Sequence, residues 1–414
     1  MNHFYVDKSH SNLPHIVKFS GGRSSGMLLF TMLENKMLNP KRGDVVIFNN
    51  TSAEHEETYK FVARCKKECE EKYGIPFFMI EFQTYEDSQR GIYDRFSTYR
   101  LVNDKPYSEE NPHGYHYKGE VFEELISWKA FLPSTLQRTC TKEMKMYITH
   151  HFLKDWFSSK TEIPRKGHFG KDIRSDWDEL HVKHKKAGGG VPSEIFQEKK
   201  KFTYLERPHF RSEQKFQDFT TIDIDEIKSS MNYIGSAFCS FIGFRADEPG
   251  RITRMRKRID DESNYKYDVA YVKDENDEHV YAPLVEFNIT EKEVSEFWNN
   301  QEWDLNLPSG GTMSNCVYCF MKGGKKLLEI ARQEKPNLTD ELTPANIDWW
   351  INIEKKYQRD LIAEDRDLSN KKLENPFINF FNDGKISYEK IKQAIKEEKL
   401  SEELGELLPC NCSD

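Results

Sequence analysis

The first 85 residues alternate between apolar runs of strand length and longer amphipathic runs of helix length. That alternation restricts the fold more than any other feature of the chain. HIVKF (15–19) reads as a short strand, and SGMLLFTMLENKML (25–38) as a helix whose apolar face carries Met27, Leu28, Phe30 and Met32. VVIFNN (45–50) is a continuous apolar strand of the kind buried in a parallel sheet. AEHEETYKFVARCKKECEEKYG (53–74) is a helix closed by Gly74, and IPFFMIEF (75–82) is a third strand. Strand–helix–strand–helix–strand predicts an α/β fold, a parallel sheet flanked by helices. In such sheets ligands bind beyond the carboxyl ends of the strands. SGGRSS (20–25) and NNTS (49–52) both fall there.

Further along, 86–118 reads as irregular loop, and VFEELISWKAFL (121–132) as helix. Thr141 is expected to cap a helix starting near Lys142. Residues 159–218 are basic, glycine-rich and without clear periodicity, which marks an insertion. Regular structure resumes with a helix in TTIDIDEIKSSMNYI and a strand in FCSFIGF. YAPLVEFNITEKEVSEFW then gives a strand and a helix opened by the capping box Thr290–Glu293. From Pro344 onward the chain reads as charged helix. The organisation expected is therefore an N-terminal part of a nucleotide-binding domain (1–158), a basic insertion (159–218), the remainder of the catalytic domain with a cysteine-bearing segment (219–335), and a helical C-terminal region (336–414).

Composition narrows the function classes. The longest apolar run falls short of the ~18 residues of a membrane helix, and MNHFYVDKSHSNLP lacks the basic-then-apolar pattern of a secretory signal. A cytoplasmic protein is expected, with no membrane partner. Net charge is −8 over 414 residues, so contact with nucleic acid requires a local basic patch. The insertion offers one in Lys183, Lys185, Lys186, Lys199, Lys200 and Lys201, although charge runs are commonly solvated loops. Eight cysteines without a secretion signal argue for thiols or metal ligands rather than a disulfide framework. Cys65 and Cys69 stand at helical i, i+4 spacing and read as structural, while Cys410 and Cys412 sit near the C-terminus.

A glycine-rich turn leading into a helix N-terminus presents backbone N–H groups to an anion. Gly21 and Gly22 allow close approach of a phosphate; Ser20, Ser24 and Ser25 add hydroxyls and Arg23 adds charge. The pattern is neither a Walker loop nor GxGxxG.

HIVKFSGGRSSG resembles the pyrophosphate (PP) loop of the PAPS-reductase-like ATP pyrophosphatases, in which Ser-Gly-Gly-x-x-Ser follows the first strand. Where that loop commonly carries Lys and Asp, this chain has Arg23 and Ser24. FNNTSAEHEETYKFV resembles the family's second-strand signature, QRTCTKEMK its Arg-x-Cys-Thr-x-x-x-Lys segment, and IGFRADEPGR its Gly-x-Arg-x-x-Glu segment. YAPLVEFNITEKEVSEFW, WDLNLP, SNCVYCFMKG and WWINIE follow in the order found in a bacterial and phage subgroup. The resemblance spans roughly 15–355, excluding 159–218, and implies an adenine nucleotide alpha hydrolase-like fold.

By that resemblance, Ser20, Gly21, Gly22, Arg23, Ser24 and Ser25 would hold the phosphates of ATP, with Asn50, Thr51 and Gly243 near the nucleotide. Glu54 and Glu57 are candidates for Mg²⁺, although an acidic first helical turn explains them equally well. Arg23, Arg138, Lys142, Lys145, Arg245 and Arg251 are candidate clamps on the phosphates, since phosphoryl and adenylyl transfer depend on charge stabilisation. Cys316 and Cys319 form a CxxC, and with Cys140 and Cys239 make a four-thiolate set. Ligand count leaves a [4Fe–4S] cluster and zinc both open, and the resemblance favours the cluster.

The function implied is an ATP pyrophosphatase that adenylylates an acceptor oxygen so that sulfur replaces it. Within the family the preferred fit is bacterial DNA phosphorothioation, with DNA tracked by the insertion, partner proteins, and a cysteine desulfurase as sulfur donor. The alternatives are a PAPS or adenylyl-sulfate reductase, whose ECGLH-like tail is replaced here by PCNCSD, and a non-catalytic nucleotide-binding scaffold.

Overall fold

The computed structural model of the chain describes residues 5–87, 92–129, 132–134, 138–158, 214–231, 237–256, 271–273, 278–308, 313–334, 341–357, 359–360, 377–378 and 387–397. The chain runs through β1 (His15–Phe19), α1 (Arg23–Glu34), β2 (Val45–Asn50), α2 (Glu56–Tyr73), β3 (Phe77–Asp87), β4 (Ile92–Pro106), β5 (Gly114–Tyr115) and α3 (Glu120–Lys129). After α4 (Ile148–Trp156) and α5 (Ile224–Ser230) come β6 (Phe238–Ile242), α6 (Pro249–Arg256), β7 (Tyr271–Lys273), β8 (Glu278–Tyr281) and α7 (Glu291–Asn299). Among the described residues α8 (Gly323–Gln333), α9 (Ile347–Tyr357) and α10 (Tyr388–Glu397) follow.

Among the described residues, eight strands form one sheet in the order β5-β4-β3-β2-β1-β6-β8-β7. Its centre is parallel: β2 pairs with β1 and β3, and β6 pairs with β1 and β8. The flanks are antiparallel, β4 against β3 and β7 against β8. From β1 the chain first builds outward to β2 and β3 and later returns to place β6 on the other side. The point where strand order reverses lies between β1 and β6, and open α/β sheets bind ligands beyond it.

Period-two alternation splits the apolar residues of the central strands between two layers. Ile16, Val45, Ile47, Phe78 and Ile80 face a core shared with α3, α4, α8 and α9. Val17, Phe19, Val46, Phe48, Phe77 and Met79 face a second core with α1, α2 and α7. Cys65 and Cys69 are buried in this second core, as structural thiols would be.

Three expectations are corrected. The segment 86–118 holds β4, a strand in register with β3 from Met79↔Val102 through Thr84↔Ser97. Hydrophobic periodicity misses it because Ser97, Thr98 and Arg100 are buried polar residues interrupting the apolar pattern. Thr141 is no cap: it has helical φ −67° and ψ −44° with no capping bond, and the helical path begins at Thr139. That path continues through a wider, π-helical turn at Lys142–Tyr147 into α4. Finally, the core resumes before residue 219. The Gln214 side chain both accepts from Leu101 N–H and donates to its carbonyl, and Phe216 and Phe219 are buried. Residues 159–213, including the six insertion lysines, lie outside the described residues, as do Cys410 and Cys412.

Candidate anion site at the carboxyl edge of the sheet

The turn from β1 to α1 forms as the glycines predict. Gly21 has φ +81°, and a Cβ there would stand 2.8 Å from the Thr58 methyl and 3.0 Å from the Phe48 ring. A side chain would therefore meet both backbone strain and a wall. Gly22 occupies the N-cap of α1 and supplies no capping side chain, so the first turn of the helix offers its backbone N–H groups to an anion. Ser25 braces the turn: its hydroxyl donates to Gly22 O at 3.0 Å and lies 2.9 Å from the Ser20 hydroxyl.

Gly243, the first residue after β6, brings the second half of the sheet against this turn. A Cβ there would lie 2.8 Å from Ser25 Cα and 2.9 Å from Ser25 N. The same loop delivers Arg245, which is 7% exposed and donates to Ser24 Oγ at 3.3 Å. Asp247 and Glu291 hold the other side of its guanidinium at 2.9 and 3.6 Å. Arg251 pairs with Glu248 at 3.5 Å and lies over Phe244. The reversal of strand order thus carries an anion cradle with a buried guanidinium beside it.

Arg23 does something else. Its Nε and Nη2 donate to Asp304, at 2.8 and 2.6 Å, and Nη2 also reaches Leu307 O. Trp298 Nε1 donates to Arg23 O at 2.8 Å. The Arg23 side chain is a tie between α1 and the 304–308 segment rather than a clamp aimed into the cradle, although its backbone N–H stays in the first turn. Burial works to raise the Asp304 carboxyl, but the hydrogen bonds and charge of Arg23 hold it below its ordinary value. WDLNLP belongs to the ordered motifs, yet nothing in its residue types marks Asp304 as this partner.

At the end of β2, Asn50 and Thr51 act as braces. Asn50 is fully buried, and its amide donates to Glu81 and to His116 O while its oxygen accepts from Ser52 N and Tyr59 OH. Glu54 accepts from Thr51, Ala53 N and Tyr59, and Glu57 accepts from Lys60. Both candidates for Mg²⁺ are therefore engaged in the β2–α2 connection. Beneath them Glu81 binds Arg100 at 2.9 Å and His116 at 2.8 Å. Burial would raise the Glu81 carboxyl; Arg100 and His116 overcome it and hold it at about 2.

The QRTCTKEMK and SNCVYCFMKG segments meet at the same edge. Cys316 pairs by a single bridge with Glu54, Val317 N donates to Ala53 O, and the Cys316 sulfur lies 3.1 Å from Thr51 Oγ1. Burial pushes the Cys316 thiol up to about 12, with the Glu54 charge and, more weakly, nearby Cys140 adding to the rise and Lys145 and the Thr51 hydrogen bond opposing it. Cys319 closes the turn with its N–H on Cys316 O. Arg138 reaches Thr141 at 3.4 Å. Lys142 is exposed, with its ammonium 5.2 Å from the centre of the Tyr147 ring.

Cys239 does not join them. It pairs with His15 at the start of β1, at the amino edge of the sheet, and its sulfur lies 3.6 Å from His10 O in the second core. Cys140, Cys316 and Cys319 pack against the first core instead. The four-thiolate set is not assembled, because a strand residue near the start of β6 cannot reach the strand ends.

Comparison of the chain with protein-family models, curated proteins and solved structures finds no match. Among the described residues, no helix is long and apolar enough to cross a membrane.

Proposed function

We propose that the carboxyl edge binds the triphosphate of ATP, and that the chain is an ATP pyrophosphatase which adenylylates an acceptor oxygen for replacement by sulfur. The observation that supports this most is the uncapped N-terminus of α1 with the buried Arg245 guanidinium held against Ser24. Helix N–H groups and a fixed arginine favour the charge of a polyphosphate and of departing pyrophosphate. Gly21 and Gly22 admit the phosphates, and Ser20 and Ser25 keep the turn open by bonding to each other. The acceptor oxygen attacks the α-phosphorus, the bond to the β-phosphate breaks, and pyrophosphate leaves. A sulfur nucleophile then displaces AMP together with that oxygen, and where that nucleophile is a persulfide a thiol reductant cleaves its S–S bond to free the product.

The ordered motifs support DNA as acceptor, in the manner of bacterial phosphorothioation, with a cysteine desulfurase supplying sulfur and Mg²⁺ arriving with ATP. With Cys239 at the amino edge of the sheet, away from Cys140, Cys316 and Cys319, the four thiols do not fit a shared [4Fe–4S] or zinc centre. A second reading, a polyphosphate-binding scaffold, is favoured by one observation: Arg23, Arg245 and Arg251 are each paired with carboxylates.

Pyrophosphate release from ATP, with acceptor DNA and a persulfide-loaded desulfurase present, separates the two. The enzyme releases pyrophosphate, and Arg245→Ala lowers the rate about 100-fold, the loss seen when one charge-stabilising donor is removed. ATP binding without pyrophosphate release selects the scaffold, and absence of ATP binding overturns both.

A further inference from the structure

Cys316 and Cys319 stand at the two ends of one tight turn. The Cys319 N–H donates to Cys316 O at 3.1 Å, and a four-residue turn closed in this way brings its end Cα atoms within about 7 Å. A disulfide spans Cα separations of about 4.4–6.8 Å. Both side chains belong to the same core: Cys316 is 9% exposed within it, and Cys319 lies half-buried against it. Tyr388 lies close to both thiols. Burial and then the Glu354 charge push its phenol far above the ordinary value, and Cys319 and Cys316 each add to that rise. Its hydroxyl donates to Tyr318 O, so the ring that feels both sulfurs also ties down the turn between them.

Cys316 has a route for its proton as well. Its sulfur lies 3.1 Å from Thr51 Oγ1, and the Thr51 hydroxyl donates to Glu54 Oε1 at 2.6 Å. We infer that Cys316 and Cys319 form a redox-active dithiol, oxidised by a low-molecular-weight disulfide and restored by a thiol. Cys319, the more exposed of the two, reacts first. Its thiolate attacks one sulfur of the incoming disulfide, forms a mixed disulfide and releases one thiolate. Cys316 then gives its proton through Thr51 to Glu54, attacks the Cys319 sulfur and expels the second thiolate. The two released thiolates take up the two protons, and the two protein thiols have passed two electrons to the incoming S–S bond. This inference goes beyond the binding of ATP and does not depend on it.

The test equilibrates the full chain anaerobically in buffers of reduced and oxidised glutathione, quenches in acid, alkylates the remaining thiols and maps them by mass spectrometry. As the buffer becomes more oxidising, Cys316 and Cys319 lose their alkylation together and an internal disulfide joins them, which dithiothreitol reverses. Cys316→Ser stops at a glutathione adduct on Cys319, and Cys319→Ser leaves buried Cys316 unmodified in the folded protein. Thiols that stay reduced at the most oxidising ratio overturn the inference. So does a disulfide from either cysteine to Cys140, or a metal ion bound to the pair in the purified protein.

Discussion

Gly243→Ala is the most direct perturbation of the contact on which the site depends. The added Cβ would stand 2.8 Å from Ser25 Cα, 2.9 Å from Ser25 N and 3.2 Å from Ser24 C. Carbon atoms in optimal contact are about 3.5–4.0 Å apart, so the β6 loop and the first turn of α1 must separate by several tenths of an ångström. All three nearest atoms are backbone, and no flexible side chain can move aside to absorb the overlap. Overpacking of this kind costs about 1–3 kcal/mol, read as a lower midpoint in urea at unchanged slope. The functional effect is larger in proportion, because the moving parts are the helix N–H groups and the arginine two residues further on. Displacement on the 1 Å scale costs roughly 100-fold where groups must converge on a reacting centre. ATP affinity is therefore expected to fall at least tenfold, measured by titration calorimetry well below the unfolding midpoint. A variant that loses stability but binds ATP like wild type would show that the β6 loop packs against α1 without contributing to binding. One that changes neither property would refute the contact itself.

Two further outcomes follow from the buried charges and thiols. Glu81 titrates at about 2 in the fold against an ordinary 4.5, a gap equivalent to about 3 kcal/mol. Because its pKa is depressed, this stability is present above pH 4.5 and lost as pH falls from there through 2. Urea unfolding across that window should show a steep acid limb in wild type and a flatter one in Glu81→Gln. Glu81→Gln should also lose about 3–5 kcal/mol at neutral pH by leaving Arg100 buried without its counter-charge; parallel acid limbs would refute the assignment. Metal analysis of anaerobically purified protein addresses the cysteines. Cys239→Ser should keep the wild-type iron and zinc content, whatever its level, and a loss confined to that variant would contradict its position at the amino edge.

What could be read in the chain was what local chemistry writes into short windows. VVIFNN matches β2 and the capping box Thr290–Glu293 opens α7, because side-chain period and cap residues act over a few positions. The glycines of SGGRSS announced a turn at a helix start, and the fold has one there. β4 stayed hidden for the converse reason: its buried polar residues gain their partners from distant strands, as Arg100 does from Glu81.

The same division runs through the site. Local residue pattern is enough to specify the alternating layers and the glycine turn between β1 and α1. It takes the folded sheet to bring Arg245 to that turn, to draw Arg23 away to Asp304, and to set Cys239 at the opposite edge from Cys316. A charged or thiol side chain takes its role from whatever the sheet order sets within hydrogen-bonding reach. That order pairs residues more than 200 positions apart, which no local pattern encodes.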